Sequence, residues 1–130
     1  MNWNGWPMER IVILFSALAF LMISIQVTMS HYRQNFHHKA MWVPVIELPL
    51  FFLIGIGLTI WNVNGLHTTF IILMAIGLLS GFVGFYFHYR GVGLRVGGWT
   101  TRNFLVGPPV ILPLMISALS LLALIAAFWR

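Results

Sequence analysis

The sequence contains no cysteine and no aspartate, and its only acids are Glu9 and Glu47. Without thiols there is no disulfide scaffold, no Cys-based zinc site and no iron–sulfur cluster held by the chain's own sulfurs. Without aspartate no Ser–His–Asp set can form, which argues against nucleophilic hydrolysis. Charged residues make up 7% of the 130 positions, against about a quarter in soluble domains, so a water-soluble globular protein is excluded. The shortage of polar residues likewise excludes a disordered chain. The pI is near 10.9, but seven Lys/Arg spread along an apolar chain make no basic groove, and nucleic acid is not an expected partner.

What is present is hydrocarbon. Hydrophobic residues account for 60% of the chain, and the mean hydropathy is +0.93. A membrane-crossing helix needs about 20 apolar residues. Four runs qualify, at about 11–30, 41–61, 68–87 and 104–129, and only Glu47 interrupts any of them with a charge. They lack the alternation of barrel strands, and backbone within a bilayer must satisfy its own hydrogen bonds, so helices follow. The first run exceeds the apolar core of a signal peptide, and no small-residue cleavage site precedes His31, so it is expected to be a retained span. The expected fold is all-α: one transmembrane domain over 1–130, a four-helix bundle in the lipid bilayer.

Five of the seven basic residues, Arg33, Lys39, Arg90, Arg95 and Arg102, fall in the first and third connections, leaving Arg10 and Arg130 near the ends. The positive-inside rule then places both basic connections in the cytoplasm and both termini outside, in a bacterial-type plasma membrane. Trp3, Trp6, Trp42, Trp61, Trp99 and Trp129 sit near the expected span ends, where an aromatic belt forms.

An internal repeat is expected. His31-Tyr32-Arg33 recurs as His88-Tyr89-Arg90, each directly after an apolar run. Pro44-Val45-Ile46-Glu47-Leu48-Pro49-Leu50 resembles Pro109-Val110-Ile111-Leu112-Pro113-Leu114, with Glu47 as the extra residue. The simplest account is two copies of a helical hairpin, 1–62 and 66–130, related by a parallel pseudo-two-fold axis. Gly77, Gly81 and Gly84 form a stripe on the third run that suits close helix packing. Pro49 and Pro113 lie deeper than Pro44, Pro108 and Pro109, and each is expected to remove one helix hydrogen bond. The glycine-rich segment 91–98 matches no phosphate-binding motif and reads as a flexible basic loop against anionic headgroups.

His31, His37, His38 and His88 gather at the cytoplasmic face with Glu47, while His67 stands alone at the other. A carboxylate in a span costs on the order of 2–3 kcal/mol at the bilayer centre, so it is paired, protonated or functional. By depth, the partners expected for Glu47 are His31, His88, Arg33 and Arg90. Three roles compete for the cluster. In the first, HYR is an interface anchor of a small subunit that works with other membrane subunits or as a homo-oligomer. In the second, His31 and His88 ligate haem b iron from opposite sides, with Arg33 and Arg90 on the propionates, or a first-row transition metal takes His31, His88, His37, His38 and Glu47 as its donor pool. The segment His31–His38 resembles the histidine boxes of membrane di-iron oxygenases, but five histidines are too few for that complete site. In the third, the chain is a small proton-coupled transporter using Glu47, comparable in size to small multidrug exporters.

Overall fold

The computed structural model describes residues 2–129; Met1 and Arg130, the latter counted above among the terminal charges, lie outside the described residues. The described residues form helices and connections, with no strand. In chain order the helices are α1 (Met8–Arg33), α2 (Trp42–Ile60), α3 (Asn64–Arg95), α4 (Thr101–Val106) and α5 (Ile111–Phe128), with a 3-10 turn over Lys39–Met41 leading into α2. α1, α2 with its leading turn, α3 and α5 are long and apolar enough to cross a membrane.

α1 packs mainly on α2, and α3 mainly on α5. The α1–α5 and α2–α3 contacts close the four into a ring of antiparallel neighbours. The interior follows from helical spacing. α1 buries Ile13, Ala17, Phe20, Ser24, Val27 and His31 along one stripe, and α3 buries Phe70, Met74, Gly77 and Gly81. At the centre Phe20 meets Phe51 edge to face, with ring centroids 5.3 Å apart. The outward faces of the long helices carry many exposed apolar side chains, among them Phe15, Met22, Leu53, Leu79 and Ile125.

The glycine stripe is a contact seam. A Cβ on Gly77 would strike Ser120 and the Phe51 ring, and one on Gly81 would strike the Ser117 side chain and the α5 backbone. This close approach lets Ser117 Oγ donate to the Leu78 carbonyl at 2.8 Å. In the other hairpin, a Cβ on Gly55 would lie 2.8 Å from that of Ala17.

Several boundaries differ from those read in the sequence. α3 does not stop near Phe87 but continues to Arg95, so part of the expected glycine-rich loop is helix. The reason is Trp99. Its indole covers Gly93, where any side chain would collide with it, stacks on Tyr89 at 5.5 Å and donates to the Tyr89 carbonyl at 2.9 Å. The fourth span begins at Ile111 rather than Phe104, because Gly107-Pro108-Pro109 breaks the run and leaves Thr101–Val106 as the separate α4. Pro113 therefore sits in the first turn of α5, where no amide is missed, whereas Pro49 lies inside α2 as expected. α1 ends in a Schellman pattern: Phe36 N–H bonds the His31 carbonyl at 3.1 Å and Asn35 N–H the Tyr32 carbonyl at 3.0 Å. Asn35 takes the left-handed conformation this end requires, with φ 58°.

Candidate functional site

The ends of α1 and α3 and the starts of α2 and α5 meet at one end of the bundle. A cavity of about 300 Å³ lies among them. Val27 and His31 of α1 and Gln34 just after it line it with Pro44 and Glu47 of α2, Ser80, Gly84, Phe87 and His88 of α3, and Leu112, Pro113 and Ile116 of α5. His37 and His38 reach it from the first connection and Arg95 from the last turn of α3.

All four histidines named from the sequence at this end therefore share one cavity with Glu47. Arg33 and Arg90 do not line it and are exposed. The cause is helical geometry. HYR lies within α1 and α3 rather than after them, and residues two apart on a helix point roughly 200° away from each other. With His31 and His88 turned toward the interior, Arg33 and Arg90 must turn outward, so the expected grouping of histidine with its own arginine fails.

Each imidazole has an identifiable role. His31, buried at 8% exposure, bonds the Met41 carbonyl through Nδ1 at 2.7 Å. His88 bonds the Pro109 carbonyl through Nδ1 at 2.8 Å, and His37 bonds the Gln34 carbonyl through Nδ1 at 3.1 Å. A carbonyl only accepts, so in all three Nδ1 carries a proton, and in the neutral form of the ring Nε2 is then the acceptor. His38 is reversed. Its Nδ1 accepts from Ala40 N–H at 3.1 Å, so its neutral form carries the proton on Nε2. Its ring also lies 5.6 Å from that of Phe87, which ties the first connection to α3. His67, at the opposite end, bonds the Ala127 carbonyl through Nε2 at 2.9 Å and caps α5.

Glu47 is met by a residue that the sequence reading passed over. Ser80 Oγ donates to Glu47 Oε1 at 2.6 Å. The Gly77 carbonyl, 3.2 Å from the same hydroxyl, is the more distant acceptor. The signal for Ser80 was its place two turns before His88 on one helix face. Arg95, two turns after His88, was hidden by reading that stretch as loop.

The chain matches no family model, no curated protein and no solved structure.

Its chemistry must therefore be read from the cavity. Among the described residues no three His, Asp or Glu side chains stand together in a way that could hold a metal ion. The cavity instead offers two imidazoles held in place by backbone carbonyls, His31 buried and His88 half-buried, one carboxyl group bonded to a hydroxyl, and walls that are mostly hydrocarbon.

Proposed function

We propose that this chain is a small integral membrane subunit of a larger membrane assembly, and that the cavity between its two hairpins holds a redox-active group for electron transfer. One observation carries the proposal: His31 and His88, from different hairpins, line one cavity, and each is held by an Nδ1–carbonyl bond that leaves Nε2 as its available ring nitrogen. A hydrogen bond from one ring nitrogen to a backbone carbonyl orients the other nitrogen in imidazoles that bind metals or protons. The haem b expected with His31 and His88 as its ligands is less favoured, because a cavity of about 300 Å³ lies at the small end of ligand sites and Arg33 and Arg90 turn away from it. The first-row metal expected on His31, His88, His37, His38 and Glu47 is less favoured, because among the described residues no three such side chains stand together to hold one.

The hairpin duplication belongs to the same proposal. Buried positions 57 residues apart correspond in α1 and α3: Ile13 with Phe70, Ala17 with Met74, Phe20 with Gly77 and Ser24 with Gly81. The same spacing relates His31 to His88. Positions 65 apart correspond in α2 and α5: Leu48 with Pro113, Phe51 with Ile116, Gly55 with Ser120 and Leu58 with Ala123. Burial thus supports a register without an inserted residue, in which Glu47 corresponds to Leu112 and Pro49 is not the counterpart of Pro113. We place the histidine end in the cytoplasm on the strength of Arg33, Lys39, Arg90, Arg95 and Arg102.

The alternative, a proton-coupled transporter, draws on the presence of Glu47 in the cavity. It is less favoured because Glu47 lies near one end of the bundle and has no counterpart in the second hairpin, whereas alternating access places its site at the midplane. The decisive experiment is to purify the chain from its native membrane and measure its visible spectrum, metal content and extractable redox compounds, together with its size on a native gel. A redox group at one per chain, lost in His31→Ala and His88→Ala, is the expected result. A preparation free of any such group, running at the size of the chain alone, would refute the proposal.

A further inference from the structure

The cavity is specific about what it can hold. At about 300 Å³ it lies at the small end of ligand sites. That is room for a substituted six-membered ring or a fused pair, not for a four-pyrrole macrocycle. Its walls include Val27, Leu112 and Ile116, so the ring it takes is apolar on both faces. Val43 on α2 and Val83 and Phe87 on α3 line the cavity and are also exposed on the outer surface. The cavity therefore reaches the lipid between α2 and α3, and a ligand carrying a hydrocarbon tail can enter there with its tail left in the bilayer.

The hydrogen bonds narrow the class further. In their neutral form the imidazoles of His31 and His88 act as acceptors, because their protons are already committed to the Met41 and Pro109 carbonyls. A fitting ligand must donate from two sides. We infer that the occupant is a lipid-tailed hydroquinone, whose two phenolic O–H groups donate to Nε2 of His31 and of His88. The inference rests on the proposed redox role and names the ligand for it. The oxidised quinone has two carbonyls and no donor, so it leaves both of those lone pairs unmet, and its carbonyls have only the other lining donors, such as Arg95 and His38, to turn to. The site thus discriminates by redox state, holding the reduced form.

The test uses the purified full chain in phosphatidylcholine nanodiscs, with empty nanodiscs as reference. A decyl-tailed benzohydroquinone and the matching benzoquinone are titrated by calorimetry. One saturable site is expected, with the reduced form bound about tenfold or more tightly, the scale of a lost hydrogen-bond pairing. His31→Phe and His88→Phe should each weaken the reduced form by a similar factor, His88→Gln should restore part of it through its carbonyl oxygen, and Arg33→Gln should change nothing. Helix content and elution volume verify that each variant folds, and the wild-type comparison of the two redox forms needs no variant. Equal binding of both forms, or reduced-form binding that survives both Phe variants, overturns the inference. Haem or metal found at one per chain overturns it while leaving the redox proposal standing. Absence of both saturable binding and any redox component overturns both.

Discussion

Gly81→Ala is the sharpest test of the packing that shapes the cavity. A Cβ there would collide with the Ser117 side chain and come within 2.7 Å of the Pro113 carbonyl oxygen and of the Ser117 nitrogen. Rotating one side chain does not clear it, since two of the three obstacles are backbone, so α3 and α5 must separate. Overpacking of this kind costs about 1–3 kcal/mol, and a backbone clash belongs at the upper end. Replacing helical glycine by alanine returns up to about 1 kcal/mol in propensity, leaving a net loss of roughly 2 kcal/mol. Two glycines of the same helix serve as controls. At Gly84 the nearest atom, Pro113 Cβ, is 3.1 Å away, and at Gly65 nothing lies within 4 Å. Unfolding in mixed detergent micelles should rank Gly81→Ala least stable, Gly84→Ala intermediate and Gly65→Ala at or above wild type. A Gly81→Ala protein as stable as Gly65→Ala would refute the α3–α5 contact described above.

Ser80→Ala should destabilise by about 1–2 kcal/mol by leaving the Glu47 carboxyl without its donor, and a double-mutant cycle with Glu47→Gln should return coupling well above zero; additivity would dissolve the pair. Trp99→Ala should speed amide hydrogen exchange in residues 91–95 and leave the bundle core protected, because Trp99 covers Gly93 and bonds the Tyr89 carbonyl. Arg10→Met should lower the unfolding midpoint through a loss of about 1–2 kcal/mol. Arg10 donates to the Thr59 and Gly5 carbonyls at 2.9 and 2.7 Å and lies 3.7 Å over the Trp6 ring.

Hydropathy made the number of spans legible, because a missing charge over about 20 residues has few other meanings. It did not fix where the spans end. Phe104 to Val110 is as apolar as a span, yet Pro108 and Pro109 exclude their neighbours from helical geometry, and that local constraint outweighs composition. Conversely, Gly91 and Gly93 suggested a loop, but Trp99 fills the space beside Gly93 and Pro108 lies against Gly91, contacts that a count of glycines does not report. The site divides in the same way. His31, His88 and Glu47 were found because polar groups are rare in such a chain. Arg33 and Arg90 were grouped with them by adjacency in sequence, and helix phase separates them. Ser80 was passed over because a single hydroxyl in an apolar run gives little signal until its partner on another helix is known.

The proposed duplication also explains why the cavity is lopsided. The imidazoles of His31 and His88 correspond, but the seams beside them do not. Between α2 and α3 stand Glu47 and Ser80. Their counterparts between α5 and α1 are Leu112 and Ile23, both apolar, with Ile23 buried at 7% exposure. A two-fold pair of acceptors would bind a ring in either of two orientations; the one polar seam removes that ambiguity. The same seam is where Val43, Val83 and Phe87 reach the outer surface. Converting Glu47→Leu together with Ser80→Ile rewrites it in the image of the closed one. The double variant removes a matched polar pair rather than half of one, so the fold should survive with an unfolding midpoint at or above wild type. Hydroquinone binding should fall at least about tenfold as the seam closes. Undiminished binding in a folded double variant would mean that the ligand neither enters past this seam nor rests on it, and the orientation argued here would be wrong.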